Sequence, residues 1–258
     1  MTIPELLDGL FPAGHAVARE GDVLAGTGRA SAGEVAVVGI AGGAEVGVEA
    51  ALALAGELLR VVREAPGRPV LALVDTAGQR MSLRDELLGL NGYLGHLAAT
   101  VELARQSGHK VVALVTGQAV SAGALALGFV ADEVHALEGA RLAVMALPAM
   151  ARVTKIPLER LERLSAGSPV LAPGLESFVR LGAIASIWRP PLAPHLEAAL
   201  ARPAAPDARA ALGAERGGRT LALEVSRRVA SGAGALPAAP GARRVGESGP
   251  RRGGGDGR

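Results

Sequence analysis

The chain has 258 residues, enough for one large core or two small domains; 49% are hydrophobic but only 2% aromatic, so the core must be aliphatic. It has no cysteine, which excludes disulfides, thiolate zinc sites and a cysteine nucleophile, and fits a reducing cytoplasm. The net charge of +2 is a split, +3 over Ser231–Arg258 and −1 over the other 230 residues, and a near-neutral body with one Trp, one Tyr and three Phe lacks the basic face that nucleic-acid binding requires.

Residues 1–22 are expected to form a short helix, Pro4–Leu10, and a connector. Met1–Gly14 carries Glu5 and Asp8 and no basic residue before its short apolar stretch, a poor signal peptide. The longest apolar stretches are cut well short of the roughly 20 residues a membrane span needs. The expectation is a soluble, cytoplasmic protein. Val23–Ala30 and Glu34–Ile40 read as strands joined by a Ser-Ala-Gly turn. Gly26-Thr-Gly28-Arg-Ala-Ser31 starts like a dinucleotide fingerprint, but a serine replaces the third glycine and no helix pattern follows.

Val46–Glu64 is predicted helical, closed by Pro66-Gly67, and Pro69–Val74 is a strand buried on both faces. Leu83, Leu87, Leu90, Leu94, Leu97, Val101 and Ala104 then form one apolar stripe at helical spacing, serving as core or as subunit interface. Lys110–Val115 is a second buried strand and Ser121–Val130 a small-residue helix. Asp132–Leu137 and Arg141–Met145 are short strands. Leu158–Ser165, Leu175–Leu181, Leu192–Ala201 and Glu215–Ala230 are predicted helices, with a strand at Ile184–Trp188. Residues 231–258, rich in Gly, Pro, Ala and Arg, are expected to be a disordered tail. The alternation of β and α over 23–230 predicts a single α/β domain.

Two segments share one form: Val74-Asp75-Thr76-Ala77-Gly78-Gln79, and Val115-Thr116-Gly117-Gln118-Ala119-Val120-Ser121-Ala122-Gly123. Each follows a strand and precedes a helical pattern. A small-residue turn there leaves backbone N–H groups unpaired and favours negative charge. Together they predict a site that stabilises oxyanions with main-chain amides.

Ala119-Val-Ser121-Ala-Gly123 is one residue from a nucleophile elbow, with His135 and Asp132 as conceivable partners. A helix cap or a main-chain role at Ser121 is favoured, since nothing in the sequence brings His135 near it. Asp75 reads as a general base or, more economically, as an Asx residue fixing the turn that follows it. His15, His96, His109 and His195 lack metal-ligand spacing, and no metal is expected. Arg152 and Lys155 flank a turn before Pro157 and are candidates for meeting a phosphate or acidic partner, or a solvated surface pair.

A strand ending Asp-Thr-small-Gly, a long helix, a strand and then Gly-Gln-x-x-Ser-small-Gly-x-Leu-Ala resembles the crotonase/Clp superfamily, especially the carboxyltransferase subunits of acyl-CoA carboxylases. More closely, the chain resembles the γ subunits of biotin-independent malonate decarboxylase. The likeness rests on Arg84-Asp-Glu-Leu-Leu-Gly-Leu-Asn-Gly-Tyr93, Val144-Met-Ala-Leu-Pro-Ala-Met-Ala-Arg-Val-Thr-Lys-Ile-Pro-Leu-Glu-Arg160 and Ser168-Pro-Val-Leu-Ala-Pro-Gly-Leu-Glu176, and covers roughly Val23–Trp188.

The resemblance implies a crotonase-like ββα superhelix. It implies pairing with a homologous β subunit to decarboxylate malonyl-[acyl-carrier-protein], whose thiol belongs to a phosphoribosyl-dephospho-CoA arm that CoA can replace. A separate α subunit would exchange acetyl for malonyl on that thiol. By carry-over, the oxyanion amides are Ala77 and Gly78, and Val120, Ser121, Ala122 and Gly123; Gln79, Gln118, Arg152 and Lys155 are the residues expected toward substrate or partner. The alternatives are the carboxyltransferase subunit of a biotin-dependent carboxylase, whose second turn is Gly-Gly-Ser-Gly-Gly, and a non-catalytic partner that shapes the β subunit's site. Clp-type serine peptidases share the Gly-Gln-Ala-x-Ser-x-Gly segment, but Met145 or Ala146 stands where their histidine lies. Proteolysis is therefore not expected.

Overall fold

The computed structural model describes residues 1–169, 172–203, 205–218 and 221–232. The chain divides into two units, Met1–Thr220 and Leu221–Arg258. The expected disordered tail lies, from residue 233 on, outside the described residues, as do residues 170 and 171 of the Ser168–Glu176 motif.

The first unit begins with α1 (Ile3–Leu10), capped by Thr2 and Glu5 in a reciprocal capping box, and continues into β1 (His15–Glu20). That strand replaces the expected connector: it pairs antiparallel with β2 (Val23–Ala30), which pairs antiparallel with β3 (Gly33–Val46). Parallel strands follow, β4 (Val70–Gln79) on β3 and β5 (Val111–Val120) on β4; α2 (Val48–Glu64) links β3 to β4. β6 (Glu133–Leu137) and β7 (Arg141–Ala143) both pair with β5, and β8 (Ile187–Trp188) closes the sheet beside β6.

Period-two alternation divides the central strands between two core layers. Val70, Ala72, Val74, Val111, Ala113 and Val115 pack with α2 and with the helices between β4 and β6. Leu71, Leu73, Val112 and Leu114 pack on the other side with α1, Trp188 and α9 (Ala193–Ala201). Both faces of these strands are covered, which is why they read as unbroken apolar runs.

The predicted leucine stripe divides. Gly89, at φ 78°, separates α3 (Leu83–Leu87) from α4 (Leu90–Gln106). Leu90, Leu97 and Val101 on α4 are buried, whereas Leu83 and Leu87 on α3 are 77% and 78% exposed. The left-handed glycine turns the first two leucines away from the layer that the rest enter. After α5 (Ser121–Leu127), the sequence reading missed α6 (Leu147–Thr154), which begins with Leu147-Pro148 just past β7. α7 (Leu158–Gly167) and α8 (Leu175–Arg180) lie near their expected places. Of the expected Glu215–Ala230 helix only the later part forms, as α11 (Ala222–Gly232) in the second unit, while Glu215 ends an unexpected helix, α10 (Arg209–Glu215). Gly217 at φ 68° follows α10. Among the described residues, no helix is long and apolar enough to cross a membrane.

Candidate functional site

The two like segments come together, but they are not turns. Residues 75–79 and 116–120 continue β4 and β5, so each strand runs five residues past its apolar run. A register shift between Val74 and Thr76 marks the change, after which Thr76 lies opposite Ala119. No helix directly follows the first segment, since α3 starts only at Leu83, while the second passes straight into α5.

Asp75 fixes the neighbouring segment instead of its own. Its Oδ1 accepts the Gln118 N–H at 2.7 Å, and a Cβ at Gly117 would lie 2.3 Å from that oxygen. The expected Asx turn is thus replaced by a cross-strand clamp that needs glycine at 117. Farther on, the first turn of α5 rests on the Gly78 peptide: a Cβ on Gly123 would come within 3.0 Å of the Gly78 carbonyl and 2.9 Å of Val46 Cγ2. Gly78 itself has φ 119°, which disfavours any side chain.

The amides expected to be unpaired are in part engaged. Gly78 N–H donates to Thr76 Oγ1 at 3.0 Å, and the buried Thr76 hydroxyl donates to Ala44 O at 2.6 Å. Ala122 N–H donates to the side-chain oxygen of Gln79 at 3.3 Å. Gln79 thus ties the first segment to the start of α5 and puts a carbonyl oxygen against one of its amides. Gln118 lies over Gly43, where a Cβ would come 2.9 Å from its side-chain nitrogen.

Ser121 is not a helix cap. It is the first residue of α5, at φ 52°, behind Val120 as N-cap, whose own side chain makes no capping bond. A non-glycine residue held left-handed is strained by about 1–2 kcal/mol. His135 is no partner for it: it pairs with Leu114, seven residues before Ser121 on β5. Asp132 is occupied by Val111 N–H at 2.8 Å and Arg105 Nε at 2.9 Å. Arg152 and Lys155 are exposed at the end of α6, Lys155 as its left-handed C-cap at φ 59°, and not on the expected turn.

An ion pair that the sequence reading missed braces the end of β4. Arg80 grips Asp85 through Nε at 2.6 Å and Nη2 at 2.9 Å, and reaches Glu49 at 2.7 Å. Asp85, 1% exposed, also accepts the Val48 N–H at 3.0 Å at the start of α2. Ser82 caps α3 through the Asp85 N–H at 3.1 Å and bonds its carboxylate. Hydrogen bonds from Arg80, then Ser82, then Val48 hold the Asp85 carboxyl well below the usual range. The Ser82-x-x-Asp85 spacing, a capping signal, was the available clue. Among the described residues, no three or more His, Cys, Asp or Glu side chains form a metal-ligating group.

Comparison with known proteins agrees with this framework. The family model of the malonate decarboxylase gamma subunit matches residues 41–233, starting later than the expected likeness and running past Trp188. The malonyl-S-ACP:biotin-protein carboxyltransferase MADD of Malonomonas rubra is 34% identical over 170 residues, covering 60% of this chain. The chain spans 58% of that protein's length. Of solved structures, a Pseudomonas malonate decarboxylase hetero-tetramer in complex with coenzyme A matches with TM-score 0.71 at 23% identity, covering 88% of this chain and 97% of that one. The Pseudomonas malonate decarboxylase MdcD-MdcE hetero-dimer matches with TM-score 0.63 at 26% identity, over 88% and 96% of the two chains. The fold is thus the expected crotonase-like α/β fold of carboxyltransferases and malonate decarboxylases. The chain belongs to the malonate decarboxylase gamma subunit family.

Proposed function

We propose that the chain works with a homologous β subunit as a biotin-independent decarboxylase, converting malonyl-[acyl-carrier-protein] to acetyl-[acyl-carrier-protein] and CO2. The observation that carries this reading is the packing of α5 on the Gly78 peptide, with the Gln79 side-chain oxygen against Ala122 N–H. Loss of CO2 from a malonyl thioester leaves an enolate whose negative charge sits on the thioester oxygen. Amide donors fixed before the reaction bind that oxygen more tightly in the transition state than in the ground state.

The donors are the main-chain amides of Ala77 and Gly78 and of Val120, Ser121, Ala122 and Gly123. The Gln79 oxygen occupies a place that a substrate oxygen takes on binding, and Gln79 and Gln118 then face the substrate. The Gly78 N–H reaches a substrate oxygen only by leaving Thr76 Oγ1, its acceptor at 3.0 Å. The pantetheine-like arm is phosphoribosyl-dephospho-CoA on the carrier protein, with CoA as a substitute, and the exposed Arg152 and Lys155 suit its phosphates or an acidic carrier surface. The partners are the β subunit, the α subunit and the carrier protein, in the cytoplasm. The exposed Leu83 and Leu87 suit the β-subunit interface. Residues 23–230 act as the catalytic domain.

A second reading is carboxyl transfer to biotin. The name of the Malonomonas relative favours it. The Ala-Val-Ser-Ala-Gly segment, in place of the glycine-rich form, opposes it. The test is to purify the chain with its β partner and supply malonyl-carrier protein or malonyl-CoA. The proposal expects CO2 release without biotin. Label appearing on biotin favours the second reading. Full activity of the β subunit alone makes this chain a shaping partner.

A further inference from the structure

A second group of chemistry-bearing residues lies toward the starts of the parallel strands, around a cavity of about 450 Å3. Glu133 and His135 on β6, Ser186 just before β8, and Lys110, Arg202 and Arg216 all line it. Ser186 is exposed and its Oγ lies 2.9 Å from His135 Nδ1. The His135 ring is fully buried, stacked on Trp188 with centroids 4.7 Å apart. Its Nε2 lies 3.3 Å from Glu133 Oε2. Glu133 accepts from Lys110 Nζ at 2.8 Å through Oε1 and from Arg202 Nε at 2.8 Å through Oε2.

The proton positions follow from what each group can do. Burial opposes charge on Glu133, but hydrogen bonds from His135, Arg202 and Lys110 outweigh it and hold the carboxyl below its usual range. His135 Nε2 faces Glu133 Oε2, which only accepts, at 3.3 Å and Arg202 Nη2, which only donates, at 3.5 Å; the nearer, ionised acceptor engages the Nε2 proton and leaves Nδ1 as an acceptor. The Trp188 indole only donates, at 3.1 Å, and uses a lone pair of Ser186 Oγ. The Ser186 proton is left to point at His135. Burial pushes the His135 imidazole below its ordinary value, which keeps it neutral near pH 7 and able to take that proton. A purely structural histidine would need the same partners, but not a serine open to a cavity.

We propose that Ser186 is a nucleophile with His135 as its general base and Glu133 as positioning residue, in a second site that accepts small activated acyl esters. Ser186 Oγ bonds to the acyl carbon while its proton passes to His135 Nδ1. The ester C–O bond then breaks and the leaving oxygen takes that proton. Water repeats the sequence through His135 and frees the acid and Ser186. This site is independent of the decarboxylation reading, which uses no side-chain nucleophile.

The experiment treats the full chain with a fluorophosphonate probe and locates the adduct by peptide mass spectrometry. The expected result is an adduct on Ser186 that Ser186→Ala removes. Since a positioned base contributes about 10²–10⁴-fold, His135→Gln should slow labelling at least about a hundredfold. Labelling of the unmodified chain should fall as acid protonates His135, and Glu133→Gln should move that fall to lower pH. Should His135→Gln not fold, the mapped residue and the wild-type pH profile still decide. No adduct on Ser186, an adduct on Ser121 in its place, or a Ser186 adduct whose rate ignores pH overturns the proposal.

Discussion

The carboxylate of Asp75 holds the main-chain N–H of Gln118 at 2.7 Å, so the end of one strand sets the position of the next. Gly117 completes the clamp, because a methyl group there would meet the Asp75 oxygen at 2.3 Å. Gly117→Ala should destabilise the chain by about 1–3 kcal/mol, the usual cost of overpacking. Thermal unfolding of Gly117→Ala, Asp75→Gly and the double variant measures the coupling. A double variant no more stable than the sum of its parts would show that the two residues do not interact.

Ser121 separates a main-chain role from a side-chain role. Glycine tolerates φ 52° and a β-branched residue does not. Ser121→Gly should keep CO2 release with the β partner and keep its Tm, while Ser121→Val should lower both. Loss of CO2 release in a folded Ser121→Gly protein would assign the work to the hydroxyl.

Gly123→Ala tests the amide site. Its methyl group would lie 3.0 Å from the Gly78 carbonyl and must push α5 off that peptide. One lost oxyanion donor costs about 3 kcal/mol, so kcat should fall on the order of a hundredfold, with Tm measured alongside. An unchanged kcat would remove this contact from the catalytic geometry.

Acid should destabilise the fold in two steps. The Asp85 and Glu133 carboxyls are held below their ordinary range when folded, by hydrogen bonds from Arg80 and from His135, Arg202 and Lys110. Their stabilisation is complete above about pH 4.5 and declines as pH falls toward the folded values. His135, depressed by burial, contributes in full above about pH 6.5 and less as pH falls through its own folded value. Tm should therefore be flat near pH 7–8, dip modestly below 6.5 and drop steeply below 4.5. A Tm that rises on acidification from pH 7 to 4 would contradict these assignments.

The divided stripe makes opposite forecasts for similar leucines. Leu97→Ala, in a fully buried position, should cost about 2–5 kcal/mol. Leu83→Ser and Leu87→Ser should leave the Tm of the chain alone unchanged, yet weaken co-purification with the β subunit. A large Tm loss in the isolated chain would place these two in its core.

The strands and α2 were legible because their apolar runs and glycine-proline boundaries are local signals. β1 was not: His15–Glu20 buries no residue fully and is a strand because β2 lies beside it. Asp75–Gln79 and Thr116–Val120 read as turns because they are small and polar, yet pairing with β3, with each other and with β7 keeps them extended. That is tertiary context overriding propensity. The two glycine segments of the candidate site were found from sequence. Their engaged amides and the Arg80–Asp85 brace depend on side-chain directions that spacing does not give. The meeting of His135 with Ser186, 51 positions later, rests on β6–β8 pairing that no short motif records.

Because β4 carries both core layers in its first half and the candidate site in its second, its length cannot vary independently of either. Inserting one residue between Val70 and Val74 would exchange Leu71 and Leu73 with Ala72 and Val74 across the sheet, and would rotate Asp75 away from Gln118. Substitutions in this strand can be accommodated singly. Changes of length cannot, because one inserted residue disturbs the core and the candidate site together.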